Sequence, residues 1–168
     1  HTDGSWQPVS GQATMLYAEM VPARGGGTGY ADMYSAYEAL SDADKARIAG
    51  LRAIHNLDFS RSRRHDEEPM TEEQRKAVPP VAHPIVRTHP ETGRTCIFLG
   101  DHAECIESMD YDQGRALIEE LNAKAVAGAV VYQHSWRPGD FMVWDNRCLL
   151  HKAGEYDTAS EPRVIRRC

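Results

Sequence analysis

Segments with strand character in this 168-residue chain are separated by turns and loops, not by helices recurring at a regular interval. A doubly wound parallel sheet needs a crossover helix between successive strands. The expected fold is therefore mainly β, an antiparallel sandwich or jelly roll carrying helical insertions. Residues 12–21 are apolar and free enough of breakers to form a strand, which Pro22 stops. Gly25, Gly26 and Gly27 then make a loop whose backbone can take positive φ or approach a ligand closely. Past Pro79 and Pro80, residues 84–89 and 94–100 flank Pro90-Glu91-Thr92-Gly93 in a hairpin pattern, with Gly93 in the turn. Residues 130–136, 141–144 and 163–168 supply the last three strands, with a turn at Pro138-Gly139-Asp140.

Between these strands the period changes. Tyr37, Leu40, Ile48 and Leu51 recur at helical spacing, and Ser41 reads as an N-cap between two short helices. Residues 110–127 form an amphipathic helix capped by Asp110 or Asp112, with Ala116, Leu117, Ile118, Leu121 and Ala125 on its apolar face. The stretch 58–76 sets Arg61, Arg63 and Arg64 against Asp66, Glu67 and Glu68, and reads as a solvated insertion or a lid. The organisation expected is one domain over 1–168, with a helical and charged insertion at about 34–78.

Composition removes several function classes. Nineteen Lys and Arg face 25 Asp and Glu, a net charge of −6, the wrong sign for a module that neutralises nucleic-acid phosphates. Apolar runs such as 125–131 are far too short to span a bilayer. Cys96, Cys105, Cys148 and Cys168 contain no C-x-x-C pair, so four reduced thiols in a cytoplasmic protein are expected. The chain shows no phosphate loop, nucleophile elbow or dinucleotide fingerprint.

What chemistry there is starts at His1-Thr2-Asp3. On a strand, residues i and i+2 share a face, so one imidazole and one carboxylate converge. A second histidine would complete two imidazoles and a carboxylate on one face of a metal, leaving three positions open, a set that suits iron(II). H-x-D alone is common, and its ordinary reading is a surface dipeptide. Its context is Trp144-Asp145-Asn146-Arg147-Cys148-Leu149-Leu150-His151, followed by Pro162-Arg163-Val164-Ile165-Arg166-Arg167. Positions 163, 165 and 167 share a strand face, so Arg163 and Arg167 can enter one cavity. Two inward guanidiniums require anions, and a dicarboxylate fits them; the plainer reading is an exposed basic strand. His55, His65, His83, His89, His102 and His134 form no H-E-x-x-H pair and read as surface or satisfied core residues. Asp140 and Asp145 read as turn-forming and hydrogen-bonding residues.

These motifs together resemble the 2-oxoglutarate-dependent dioxygenases of the taurine / 2,4-dichlorophenoxyacetate dioxygenase family, over essentially the whole chain. The matching segments are His1-Thr2-Asp3, Gly25-Gly26-Gly27-Thr28, residues 36–40, Val86-Arg87-Thr88-His89-Pro90, the 144–151 run and 162–167. The resemblance implies a double-stranded β-helix (jelly roll) and a metal centre of His1, Asp3 and His151 holding Fe(II), with 2-oxoglutarate and O2 as co-substrates. It implies that Thr28 and Arg163 bind the far carboxylate of 2-oxoglutarate and that Arg167 lies near its chelating end. It further implies that Trp136 lines the co-substrate pocket and that no side chain beyond the metal ligands is catalytic. Family members are longer, so the chain is expected to be a fragment with an incomplete jelly roll, lacking the N-terminal strands. The reaction implied is hydroxylation of a small anionic substrate, aryloxyalkanoate-like or sulfonate-like, with succinate and CO2 as products. No nucleic-acid or membrane partner is expected, and a homo-oligomer is left open.

Two other readings stand beside this one. A free α-amine on His1 with a second imidazole could form a copper histidine brace in an oxidase, although Asp3 and the distal arginines do not belong to such a site. A jelly-roll binding module that had lost its metal is the non-enzymatic reading, against which all three candidate ligands are present. Asp3 also argues against halide transfer, because related halogenases carry a small residue there.

Overall fold

Thirteen residues in, the chain enters β1 (Ala13–Met20), the strand anticipated over 12–21. It lies between β9 (Phe141–Asp145) and β11 (Val164–Arg167), antiparallel to both. A second antiparallel sheet places β2 (Thr28–Asp32) between β8 (Val131–His134) and β10 (Leu149–Ala153). The inner faces of the two sheets meet, with the rings of Tyr30 and Trp144 5.2 Å apart. This is the jelly-roll pairing expected. The structure is a computed structural model that describes residues 1–64 and 68–167. His65, Asp66, Glu67 and Cys168, and the expectations placed on them, lie outside the described residues.

Five strands were not anticipated: β2, β10 and the three of a smaller sheet. β2 contains Gly29 and Asp32 and shows no clean alternation, yet it is paired on both sides: Tyr30 faces His151 on β10 and Tyr132 on β8. β3 (Arg52–His55) is central in a smaller sheet between β4 (Val81–Pro84) and β7 (Ala103–Ile106). Each is a segment of four or five residues whose strand state comes from its neighbours, where local propensity says little. The predicted hairpin is present as β5 (Val86–Thr88) and β6 (Thr95–Ile97), with Gly93 at φ +69° in its turn.

Helices follow their caps. α1 (Met33–Glu38) and α2 (Asp42–Ile48) start at Asp32 and Ser41, whose side chains accept from the N–H two or three residues on. α3 (Leu57–Ser62) and α4 (Glu72–Ala77) occupy the charged stretch, where Ser60 and Met70 are buried. α5 (Tyr111–Gly128) is capped by Asp110 and buries Gly114, Leu117, Ile118, Leu121 and Ala125. Ala116, expected on that face, points to solvent.

The apolar core sits to one side of the sandwich. Met33, Ala36, Ile48, Ile85, Ile97, Leu99, Ile106, Ile118 and Leu121 are at most 1 % exposed and pack together between α1, α5 and the smaller sheet. Burying each Met, Ile or Leu side chain of this set stabilises the fold by about 1.5–3 kcal/mol. The space between the two main sheets is lined differently, by Thr14, Thr28, Tyr30, Trp136, Trp144 and Asn146, all buried. Stability is thus supplied beside the site, and the interior of the jelly roll is left free for polar chemistry.

Candidate metal centre

His1 is fixed opposite His151 by two reciprocal main-chain hydrogen bonds. His151 N donates to His1 O (2.8 Å), and His1 N donates to His151 O (3.1 Å). That pairing puts both imidazoles on one face, with ring centroids 4.2 Å apart. It also commits the His1 main-chain nitrogen to the sheet, which is not the arrangement a copper brace requires. Asp3 reaches the same point: its Oδ1 lies 3.5 Å from His1 Nε2 and its Oδ2 lies 3.7 Å from His151 Nε2. One donor atom from each of the three residues falls within 4.8 Å of the others.

These donors fit a divalent metal. Ligands at right angles on bonds of about 2.1 Å sit about 3 Å apart, so three donors within 4.8 Å of one another need only close together modestly around an ion. Burial, followed by the nearby His1 ring, lowers the His151 pKa to about 4, so its imidazole is neutral at pH 7 and has a lone pair to give. Burial would raise the Asp3 pKa, but hydrogen bonds from His1 and Thr14, the nearby His151 ring and the Arg167 charge outweigh it. The carboxyl is therefore held below the ordinary carboxylate range, as an anion.

Asn146 organises the approach to Asp3. It is 1 % exposed, and its Oδ1 accepts from Trp144 Nε1 (2.9 Å) and from Asp3 N (3.3 Å). Its Nδ2 donates to Thr14 Oγ1 (2.8 Å), and the Thr14 hydroxyl donates to Asp3 Oδ2 (2.7 Å). The Thr2 hydroxyl donates to the Asn146 carbonyl. A directed chain thus runs from the 144–151 segment through β1 to the carboxylate. Sequence reasoning passed over Asn146 and Thr14. The asparagine inside the tryptophan-to-histidine run was the available signal; Thr14 carried none.

A second group of expected residues surrounds the centre. Trp136 Nε1 donates to Thr28 Oγ1 (2.9 Å), and both residues are buried. Arg163 Nε donates to Gly26 O (3.0 Å), which fastens the strand-end arginine to the glycine loop beside Thr28. Gly25 and Gly26 have φ of +73° and +65°, conformations an L side chain rarely adopts. A Cβ on Gly27 would lie 2.6 Å from His134 O. Arg167 reaches Asp3 Oδ2 (3.1 Å), although its side chain is 58 % exposed. Arg167, at the end of β11, therefore reaches the metal site itself, whereas Arg163, just before β11, is held at the glycine loop beside Thr28.

The histidines set aside divide. His102 is buried, edge-on to His1 at 5.8 Å and against Trp6 at 4.6 Å, so it supports the centre directly. His89 Nε2 donates to Asp145 Oδ2 (3.0 Å), tying the β5–β6 hairpin to the 144–151 segment. His89, Asp145 and Cys148 also lie within 4.8 Å of one another, but Arg147 grips both Asp145 oxygens and neutralises them. His55 is not a satisfied core residue: it is fully buried, and neither ring nitrogen has a hydrogen-bond partner among the described residues. Asp140 shapes a turn by accepting from Arg137 N. Cys96, Cys105 and Cys148 are free thiols, and no helix among the described residues is long and apolar enough to cross a membrane.

Known proteins match this chain over nearly its whole length. The profile of the family described as taurine catabolism dioxygenase TauD, TfdA family matches residues 1–168. An alpha-ketoglutarate-dependent 2,4-dichlorophenoxyacetate dioxygenase of Burkholderia sp. (strain RASC) is 42% identical over 167 residues, covering 99% of this chain and 56% of that protein. A (S)-phenoxypropionate/alpha-ketoglutarate-dioxygenase of Sphingobium herbicidovorans is 37% identical over 162 residues, covering 94% of this chain and 56% of that protein. The chain thus spans little more than half the length of these curated relatives. The crystal structure of AAD-2 in complex with Mn(II) and N-oxalylglycine superposes with a TM-score of 0.91 at 40% identity, over 99% of this chain and 66% of that one. A taurine dioxygenase from Burkholderia xenovorans superposes with a TM-score of 0.83 at 27% identity, over 99% of this chain and 54% of the other.

Proposed function

The chain belongs to the taurine catabolism dioxygenase TauD, TfdA family, and on that premise we propose that it carries the active centre of an Fe(II)- and 2-oxoglutarate-dependent dioxygenase. The observation that carries this reading is the convergence of His1, Asp3 and His151 within 4.8 Å, with Arg167 on Asp3 and with Thr28, Trp136 and Arg163 held about the glycine loop and β2. Two imidazoles and a carboxylate on one face leave room for a bidentate 2-oxo acid and for O2. Bound iron(II) and 2-oxoglutarate supply the oxidative chemistry: O2 is consumed, 2-oxoglutarate becomes succinate and CO2, and a substrate C–H becomes C–OH.

This chain's own residues do the positioning. Thr28 accepts from Trp136, which leaves its hydroxyl proton free to donate to the far carboxylate of 2-oxoglutarate. The Arg163 guanidinium uses Nε on Gly26 and keeps its outer nitrogens for that same carboxylate. Arg167 brings positive charge to the metal side of the site, where a chelating carboxylate or an anionic substrate group must sit. The substrate class is a small organic anion, aryloxyalkanoate-like or sulfonate-like. This follows from the Arg167 charge and from the names of the relatives, which act on 2,4-dichlorophenoxyacetate and (S)-phenoxypropionate. Free thiols at Cys96, Cys105 and Cys148 suit a cytoplasmic, reducing setting.

The test has two parts. Anaerobic iron(II) and 2-oxoglutarate should produce a weak visible metal-to-ligand charge-transfer band that Asp3→Ala and His151→Ala abolish. Succinate formation is then measured across aryloxyalkanoates, sulfonates and sulfate esters. A full band in both variants would remove these residues from the ligand set, and no succinate with any substrate would refute the activity.

A further inference from the structure

The interior between the two main sheets holds one polar atom that the site as described does not use. Tyr30 is 5 % exposed, and its hydroxyl has no hydrogen-bond partner among the described residues. Buried hydroxyls are normally paired, so one left open needs a partner that the described residues do not supply. Its position is well defined. Tyr30 stands two residues after Thr28 on β2, so both side chains leave the same face of the strand. Across the sheet it is in register with His151, and its ring packs on Trp144 at 5.2 Å and lies 6.3 Å from the His151 ring. Those contacts fix the ring from two sides.

We propose that the Tyr30 hydroxyl is a third donor, beside Thr28 and Arg163, to the distal carboxylate of the bound 2-oxo dicarboxylate. This rests on the dioxygenase reading above. The three groups have complementary vacancies. Thr28 retains a proton to donate after accepting from Trp136, Arg163 retains its outer nitrogens after its bond to Gly26, and the Tyr30 hydroxyl, near enough to Thr28 to feel it, makes no hydrogen bond of ordinary length. A carboxylate has about four lone-pair directions and is acceptor-only, so it can take all three. A phenol ordinarily titrates at about pH 10, so the hydroxyl is protonated and a donor at neutral pH. The specific consequence is discrimination by length. A 2-oxo monocarboxylate fills the metal end but leaves Thr28, Tyr30 and Arg163 without an anion.

The decisive comparison loads the protein with Mn(II) and measures binding of 2-oxoglutarate, N-oxalylglycine and 2-oxobutyrate by calorimetry, in the parent and in Tyr30→Phe. The substitution removes only the oxygen. Affinity for the two dicarboxylates should fall about 10- to 100-fold, as for loss of a hydrogen bond to a charged group. Affinity for 2-oxobutyrate should stay within a factor of about two. Equal dicarboxylate affinity in parent and variant overturns the Tyr30 assignment while leaving the dioxygenase reading intact. A parent protein that binds no 2-oxo acid defeats that reading itself. Should Tyr30→Phe misfold, fluorotyrosine labelling of the parent gives the answer by fluorine NMR. The Tyr30 resonance must shift with 2-oxoglutarate and not with 2-oxobutyrate; a resonance equally moved by both, or by neither, refutes the contact.

Discussion

Thr14→Val replaces a hydroxyl with a methyl at almost constant volume, and it tests the route by which the fold holds Asp3. The hydroxyl is 2.7 Å from Asp3 Oδ2, and Thr14 is 3 % exposed, so no water replaces the lost donor. A hydrogen bond to a charged group contributes about 1.5–3 kcal/mol. At about 1.4 kcal/mol per decade, metal affinity should fall about 10- to 100-fold, the range found when groups supporting a metal ligand are removed. The same substitution leaves Asn146 Nδ2 without its acceptor, at a cost of about 1–3 kcal/mol to the fold. Each kcal/mol lowers Tm by about 2–4 °C for a chain of this size. Mn(II) titration followed by the EPR signal of the free ion reads the affinity, well below the variant's melting temperature. Thr14→Ser should recover most of the parent affinity. A folded Thr14→Val with Mn(II) affinity within a factor of about two of the parent would refute the argument that this hydroxyl positions the carboxylate.

Three further outcomes follow from the same geometry. Arg163→Ala should weaken 2-oxoglutarate binding about 10- to 100-fold, whereas a merely solvated strand-end charge would change it by less than a factor of about five; titration of the iron-loaded protein under nitrogen decides. His55 is buried with its pKa lowered to about 3 from the ordinary 6.5 by burial first and then by His83, His102 and Arg87, so the folded state resists a proton that the unfolded chain accepts. Its contribution to stability is complete above pH 6.5 and is lost as pH falls toward 3, by up to about 1.4 kcal/mol per pH unit. The slope of denaturation free energy against pH between 6 and 5 should therefore be shallower in His55→Leu, and an unchanged slope would acquit this residue. Gly114→Ala sets helix propensity, which favours alanine by about 1 kcal/mol, against a Cβ placed 2.7 Å from Ile106 N. Because the neighbour is backbone, the clash should win by about 1–3 kcal/mol, seen as a lower Tm by calorimetry; a higher Tm would show that α5 can shift.

Much of the chemistry was legible along the chain because it resides in spaced, type-specific residues. His1 and Asp3 are two apart, His151 closes a run with a distinctive order, and Arg163 and Arg167 have strand periodicity; His1, Asp3, His151 and Arg167 meet at one point, and Arg163 is held on the glycine loop. Local elements with local causes were equally readable: the Ser41 and Asp110 caps, the Gly93 hairpin and the apolar face of α5, apart from Ala116. What only the tertiary structure decided is pairing across long separations. His1 meets His151 through main-chain bonds that span 150 positions, and the chain Asn146–Thr14–Asp3 joins three segments that share no local pattern. β2 and β3 are strands because of what lies on either side of them. The placement of the apolar core beside the jelly roll, with a polar interior between its sheets, also has no one-dimensional signature. Short-range preference is encoded by neighbouring residues, whereas strand pairing and buried hydrogen bonds are selected by the whole chain's need to satisfy every buried polar group at once.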